Sequence, residues 1–148
     1  MISLRALLCH FGAALSLIGI IRADLCDQDV NENGDPEMVW CCGISNWGGA
    51  HDKRILQGIE YLTNKPQDVE ANFPDEGCYR ISCSWDSAIV VCNDLKGFPA
   101  TPTYSRIVEE VITLREKCHR DQDYWNGYLW RQGENEVYEV RVLEDKSC

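Results

Sequence analysis

The sequence predicts an α+β fold in which two helices pack on an antiparallel sheet that is stapled by disulfides. Strand-like alternation of apolar and polar residues runs through Gly77–Asn93, and an amphipathic helical pattern lies on each side of it. A further pair of strands is predicted near the C-terminus. The order helix, two strands, helix, two strands is typical of an α/β sandwich built on one antiparallel sheet.

Residues 1–23 have the pattern of a secretory signal peptide. Arg5 precedes an apolar run over residues 6–21, and Ala23 supplies a small residue at the cleavage position. The run is shorter than a membrane span, which needs about 20 apolar residues. An uncleaved membrane anchor is the alternative, but no polybasic flank supports it. We therefore expect cleavage after Ala23 and a secreted, extracellular protein of residues 24–148.

The chain is strongly acidic. It has 24 Asp and Glu residues against 14 Lys and Arg residues, and its formal net charge is −10. Loss of Arg5 and Arg22 with the signal peptide makes the expected mature charge −12. This charge argues against nucleic acid, whose phosphates require Lys and Arg patches, and against anionic membrane surfaces. The expected partner is a protein or glycan of a host or target cell, and we expect the protein to be a monomer.

An even number of cysteines in an exported chain predicts a disulfide framework. The eight cysteines of the mature chain are Cys26, Cys41, Cys42, Cys78, Cys83, Cys92, Cys118 and Cys148. A metal site would need Cys-x-x-Cys pairs or interleaved histidines, and the mature chain has only His51 and His119. With every thiol assigned to the framework, no cysteine nucleophile is expected. Spacing leaves the connectivity open, because eight thiols permit about a hundred pairings.

Residues 24–39 form an acidic segment that we interpret as a loop tethered by Cys26. It contains part of a calcium-loop motif, in Asp29, Asn31, Asn33 and Asp35. That motif requires a glutamate at its twelfth position, where this chain has Trp40. We therefore predict no metal site and no cofactor, and we expect residues 40–148 to form a single cysteine-rich domain.

Two helices are predicted from apolar residues that recur every three or four positions. The first begins at Asp52, its predicted N-cap, and ends before Pro66; its buried stripe is Ile55, Leu56, Ile59 and Leu62. The second runs from about Tyr104 to His119 and is capped by Thr101 or Thr103. Its buried stripe is Ile107, Val108, Val111, Leu114 and Cys118, and its water-facing residues are Glu109, Glu110, Arg115 and Lys117. Cys118 can tie this helix to the sheet or to the first helix.

Two pairs of strands are predicted from their alternation. In the first pair, a polar break at Asp86 and Ser87 separates two apolar runs within Gly77–Asn93. In the second pair, Trp125–Arg131 and Val137–Leu143 flank a polar turn. One face of each strand is expected to lie in the core, because β-branched and aromatic residues alternate with polar ones.

One strand face carries the candidate binding residues. In an extended strand Tyr124, Asn126, Tyr128 and Trp130 share a face, since side chains alternate. Tyr and Trp dominate binding hot spots, so Tyr124, Tyr128 and Trp130 are candidates if this face is exposed. The alternative is that this face is buried and that the Trp125 and Leu129 face is exposed. Spacing does not decide between the two.

Catalytic groups do not form a set that can be recognised in the sequence. His119 lies near Asp121 and Asp123, and His51 adjoins Asp52, but neighbours in sequence are not thereby oriented across a pocket. We therefore expect a protein that binds its target and is not an enzyme. The alternatives are a secreted hydrolase or ribonuclease-like enzyme and a structural, wall-associated module.

Several features of the chain occur together in one known layout. A cysteine–glycine turn follows Trp40, the sequence GCYRISC begins at Gly77, a helix ends in Cys118, and VYEVRV precedes Cys148. This layout, over Trp40–Cys148, resembles small secreted cysteine-rich fungal proteins of the killer-protein-four type, named for a smut-fungus killer toxin. The resemblance implies an α/β sandwich and the function of a secreted toxin or host-directed effector.

The resemblance also implies one disulfide pairing and one difference in function. The family's layout ties its last cysteine to the strand after the first helix, which implies a Cys83–Cys148 bond. We also expect a Cys78–Cys92 bond. Toxin-type members present a basic surface and the named toxin acts on calcium channels, whereas this chain is acidic and has the additional segment 24–38. The fold is therefore expected to carry over better than the target.

Overall fold

The structure is a computed structural model, and it describes residues 29–30, 37–41, 48–133 and 137–148. Its strands are β1 (Asp29–Val30), β2 (Glu37–Cys41), β3 (Ala50–His51), β4 (Gly77–Ser84), β5 (Ser87–Asn93), β6 (Tyr124–Trp125), β7 (Gly127–Gln132) and β8 (Val137–Glu144). Its helices are α1 (Asp52–Thr63) and α2 (Tyr104–Cys118). The predicted signal peptide lies outside the described residues. Among those that are described, no helix is long and apolar enough to cross a membrane.

Six strands form one antiparallel sheet in the order β1-β2-β7-β8-β5-β4, and β3 pairs with β6 in a separate ribbon. Both helices pack on one side of the large sheet. The α+β prediction of two helices on an antiparallel sheet is therefore confirmed. The predicted hairpin over Gly77–Asn93 forms β4 and β5, and its turn residues Trp85 and Asp86 have φ values of 48° and 59°. Positive φ at both central residues is what a two-residue type I′ turn requires.

The core lies between the helices and one face of the sheet. Ile89, Val91, Leu129, Val140 and Val142 form its sheet side, and Ile55, Leu62, Ile107, Val111 and Leu114 form its helix side. Each of these side chains is almost completely buried, and burying one contributes about 1.5–3 kcal/mol. Leu56, which the sequence places on the buried stripe of α1, is instead 43% exposed, and Gly58 lies buried against the sheet.

The cap of α1 differs from the prediction, whereas the cap of α2 is one of the two predicted residues. The N-cap of α1 is His51, whose imidazole Nδ1 accepts a hydrogen bond from the Lys53 amide, so the prediction of Asp52 as cap is wrong. The Asp52 carboxylate bonds to groups on α2 and β6 instead. Thr103, one of the two predicted caps, begins α2 by accepting a bond from the Arg106 amide.

Three disulfides join the described cysteines. Cys83–Cys148 and Cys78–Cys92 are the two expected pairings, and both are confirmed in the structure. Cys41–Cys118 joins β2 to the end of α2, so Cys118 ties its helix to the sheet. Cys26 and Cys42 lie outside the described residues. The described part of the chain thus has the disulfide-rich core that the cysteine count predicts.

The acidic segment 24–39 is only partly a loop, in contrast to the prediction. Asp29–Val30 and the first three residues of Glu37–Cys41 belong to strands at one edge of the sheet. β2 is held there because it pairs along its whole length with β7, a contact that local sequence does not reveal. Of the calcium-loop residues, Asp29 lies in β1, and Asn31, Asn33 and Asp35 lie outside the described residues.

Candidate functional site

Strand alternation places the candidate aromatic residues of β7 on the open face of the sheet, the face that the helices leave uncovered. Leu129 points into the core and is fully buried, whereas Tyr128 and Trp130 on either side of it are partly exposed. The alternative, in which Leu129 faces outward, is wrong. The helices cover only one face of the sheet, so neighbouring residues of a strand differ in their exposure to solvent.

The register of three strands sets up the neighbours of these two residues. Tyr128 lies between Trp40 of β2 and Arg141 of β8, and Trp130 lies between Met38 and Glu139 in the next row. The rings of Trp40 and Tyr128 stack, with centroids 6.0 Å apart and planes inclined by 13°. Directly opposed aromatic side chains stabilise a strand pair. We call the set Met38, Trp40, Tyr128 and Trp130 the aromatic face.

A charged pair borders the aromatic face. The Arg141 Nε donates a hydrogen bond to Glu139 Oε2, and both side chains are mostly buried. Burial, and then the nearby Glu139, raise the pKa of Tyr128 above its usual 10.0, while Arg141 opposes the shift. The phenol therefore stays protonated at neutral pH and remains a hydrogen-bond donor. Trp40 Nε1 is also buried, and none of the described residues accepts a hydrogen bond from it.

Tyr124 does not belong to this face, contrary to the sequence interpretation. It lies in β6, which pairs with β3, and the strand is interrupted at Asn126 before β7 begins. Tyr124 is 59% exposed, and its ring packs at a steep angle on the His51 ring, with centroids 4.9 Å apart. The structure thus brings Tyr128 and Trp130 together and separates Tyr124 from both.

One histidine, His119, lies beside the buried carboxylate of Asp52. Asp52 Oδ1 accepts bonds from Arg115 Nε at 2.7 Å and from Trp125 Nε1 at 3.0 Å, and Oδ2 accepts from Arg115 Nη2 at 2.9 Å. His119 Nε2 lies 3.5 Å from Oδ2. The hydrogen bond from Arg115 is the main reason that the pKa of Asp52 is lowered, and burial opposes it. A carboxylate of low pKa held by so many donors is a poor general base.

A second acid, Glu110, lies inside the protein. Glu110 is only 2% exposed, which contradicts the prediction that it faces water. Its Oε1 accepts bonds from Arg131 Nε at 2.7 Å, Tyr138 Oη at 2.8 Å and Arg106 Nε at 3.0 Å. Burial raises the pKa of Glu110 despite these donors. One signal for its burial is present in the sequence, because Glu110 follows Ile107 by three positions on the apolar stripe of α2.

The described residues do not include a group of three or more His, Cys, Asp or Glu side chains that could hold a metal ion. Sequence reasoning missed Trp40 and Met38 as members of the aromatic face because their strand was expected to be largely loop. Comparisons of the chain with protein-family models, with curated proteins and with solved structures found no match.

Proposed function

We propose that this protein is a secreted, non-enzymatic binding protein that recognises a protein or glycan on or in another cell. One observation carries the proposal: three aromatic side chains on two paired strands, Trp40, Tyr128 and Trp130, share the open face of the sheet. Aromatic side chains contribute large contact areas at small entropic cost, and they are enriched at the centres of interfaces.

The chemistry of the aromatic face suits a flat, neutral target. Ring faces can pack against the C–H-rich faces of sugars or against apolar side chains, while the protonated Tyr128 hydroxyl donates at the border. The acidic charge of the chain gives no steering toward anionic surfaces, so we expect weak dependence on salt.

The surroundings of Asp52 and Glu110 support a binding function over hydrolysis. A general base works best when its pKa lies near the operating pH and it reaches the substrate. The pKa of Asp52 is shifted in the opposite direction, and its oxygens are occupied by Arg115 and Trp125. Glu110 has a raised pKa but is buried between α2 and the sheet. Both acids are therefore best understood as structural.

The predicted export signal and the disulfides support an extracellular setting. Disulfides persist in oxidising compartments, and the three in the structure are compatible with an extracellular protein. Together with the resemblance to killer-protein-four proteins, they favour a toxin-like or effector role. Because this chain is acidic, we expect its target to differ from that of the basic, toxin-type killer-protein-four proteins.

A pull-down from target-cell extracts tests the proposal. Purified mature protein is compared with Tyr128→Ala and Trp130→Ala at two salt concentrations, after far-UV spectra and thermal melts confirm folding. Tyr124→Ala is the matched control, because it removes an exposed tyrosine from the other sheet. Each variant of the aromatic face should weaken retention of a partner by about fivefold or more, and the control should not.

Two results would overturn the proposal. The first is a partner that all three variants retain equally and that modest salt releases, because binding would then be electrostatic. The second is hydrolysis of RNA or glycan by the purified protein with turnover, which would establish the enzymatic alternative. Retention by wall polymers alone, with no partner in cell extracts, would favour the structural module.

A further inference from the structure

A groove runs between α1 and β4, at the edge of the sheet away from the aromatic face. It encloses about 410 Å³ and is lined by Gln57, Gly58 and Tyr61 of α1 and by residues 80–84 of β4. β4 ends the strand order of the sheet and pairs with β5 alone in the described part of the chain. One wall of the groove is therefore five consecutive residues of a strand whose outer edge pairs with no described residue.

Close packing at one point and a bulge beside it shape this groove. A Cβ atom on Gly58 would lie 2.7 Å from Ser82 Oγ and 2.8 Å from Ile89 Cδ1, so the helix touches the sheet there. The register of β4 shifts between Arg80 and Ser82, which is a β-bulge. Bulges bend a strand and re-aim its edge, and edge strands offer backbone donors and acceptors to an added strand.

One arginine and one tyrosine line the groove, and two further cations and a tryptophan lie beside it. No described residue that lines it carries a carboxylate, although acidic residues outnumber basic ones in the chain by 24 to 14. Arg80 lines it and also pairs with Asp145 at 2.8 Å. Arg54 lies 5.1 Å over the Trp85 ring, and Lys65 lies 4.5 Å over the Tyr61 ring. Arg54 and Lys65 therefore add positive charge beside the groove, whereas the charge of Arg80 is already offset by Asp145.

The helix presents these groups on one side. Arg54, Gln57, Tyr61 and Lys65 are spaced by three, four and four residues, so they lie along one face of α1 and just beyond its end. Trp85, in the turn that follows β4, is 73% exposed, and Tyr61 is 50% exposed. Two exposed rings therefore flank this edge of β4, each with a cation above it. Such rings are suited to anchor side chains of a bound segment.

We propose that this groove binds an extended, acidic peptide segment of a partner protein, which adds to β4 as a further antiparallel or parallel strand. The backbone edge of residues 80–84 supplies hydrogen bonds, and Arg54, Lys65 and Arg80 attract alternate carboxylates of the segment. Strand addition of this kind derives affinity from the main chain and specificity from alternate side chains. Charge complementarity selects the acidic peptide over a second copy of this acidic chain.

Nuclear magnetic resonance of the oxidised mature protein tests this proposal. The probe is a capped peptide of about eight residues that alternates glutamate with valine, a length that matches typical strands. Titration should shift the backbone amide signals of residues 80–84 and of Gln57 and Tyr61. A peptide with lysine in place of glutamate should bind at least about threefold more weakly, because it meets the same cations.

Substitutions in the groove give the expected loss. Arg54→Gln and Tyr61→Ala should each weaken binding of the probe about three- to tenfold. Lys96→Gln is the matched control, because it removes an exposed cation outside the groove and should leave the affinity unchanged. Amide spectra of each variant establish that the fold is retained.

Three results would overturn the proposal. One is the absence of shifts at residues 80–84 with millimolar probe. Another is equal binding of a probe N-methylated at alternate residues, since that peptide keeps its charges but loses donors for strand pairing. The third is that a sulfated oligosaccharide, or a second copy of the protein at high concentration, shifts these amides while the acidic peptide does not.

Discussion

Two buried acids, one on each helix, are held by similar partners and respond in opposite ways. Asp52 accepts hydrogen bonds from Arg115 and from the Trp125 indole, and its pKa is lowered. Glu110 accepts hydrogen bonds from two arginines and from the Tyr138 hydroxyl, and its pKa is raised. The acid with more arginine neighbours is thus the one whose ionised form is disfavoured.

The difference lies in how the donors are distributed and how deep each group is. Donors bind both oxygens of Asp52, including both ends of the Arg115 guanidinium fork. All three donors to Glu110 converge on Oε1, and none of the described residues bonds its buried Oε2. Moving a charged group out of water costs several kcal/mol. A buried ion pair offsets this cost only when hydrogen bonds also satisfy the remaining lone pairs of the carboxylate. Depth and completeness of bonding, rather than the number of cations, decide the direction of the shift.

The largest effect should come from removing the deeper acid. Glu110→Ala removes a buried carboxylate oxygen that accepts bonds from Arg131, Tyr138 and Arg106, and it should lower the free energy of unfolding by about 3–5 kcal/mol. Urea unfolding measures this value. Glu109→Ala is the control, because this neighbour is exposed and should change stability by at most about 0.5 kcal/mol. Equal losses for the two variants would mean that Glu110 is not buried as described.

Asp52→Ala should cost less, because its partner Arg115 can reach water. We expect a loss of about 1–3 kcal/mol, mainly from the Trp125 indole, which stays buried without an acceptor. Thermal unfolding measures the loss, and Asp68→Ala is an exposed control. A loss larger than that of Glu110→Ala would reverse the order that burial predicts.

The two acids should also give opposite pH dependences. The lowered pKa of Asp52 means that its contribution is present above the unfolded value of 3.8 and is lost as pH falls through the folded pKa. The raised pKa of Glu110 means that stability is lost as pH rises from the unfolded value of 4.5 through the folded pKa. The Asp52→Asn penalty should therefore be larger at about pH 7 than at about pH 3.

For Glu110→Gln the trend should run the other way, with a penalty that shrinks as the pH rises from about 4 to about 7. Urea midpoints of each variant and of the wild type, measured across this range, separate the two trends. Parallel pH profiles for Asp52→Asn and Glu110→Gln would show that the two environments do not differ as the contacts indicate.

The smallest effect is expected at the start of the helix that carries Glu110. Thr103→Ala removes the side chain that accepts a bond from the Arg106 amide, and it should cost about 1 kcal/mol. This loss should be the same at every pH, because no ionisable group is removed. A Thr103→Ser variant keeps the hydroxyl and should recover most of the stability. A pH-dependent loss at Thr103 would instead indicate that the cap shifts Glu110 itself.

Local patterns predicted the elements whose main contacts are close in sequence. The hairpin of β4 and β5 followed from a β-branched run and a polar break, although the predicted break at Asp86 and Ser87 is one residue beyond the observed turn at Trp85 and Asp86. The helix α2 followed from its apolar stripe and the Thr103 cap. β2 was partly missed, because a polar, acidic stretch leads directly into it and its pairing partner β7 lies about ninety residues away. Contacts at that distance leave no periodic signal in a single sequence.

The candidate site was predictable to a similar extent. Tyr128 and Trp130 were identified by alternation, but only the buried position of Leu129 decides which face is open. Tyr124 was grouped with them because alternation assumes a continuous strand, and the break at Asn126 ends it. Glu110 was assigned to water by its charge. Its partner Tyr138 lies on a distant strand, so charge alone pointed the wrong way.

The three disulfides close loops of very different size. Cys78 and Cys92 face each other in one hairpin, 14 residues apart, whereas Cys41–Cys118 spans 77 residues and Cys83–Cys148 spans 65. Bringing the ends of the longest loop together costs about 1.5 kcal/mol more chain entropy than closing the hairpin. During oxidation the hairpin bond is therefore favoured while the chain is still open. The two long-range bonds become favoured only once the sheet and α2 have assembled. They then stabilise a conformation that is already formed.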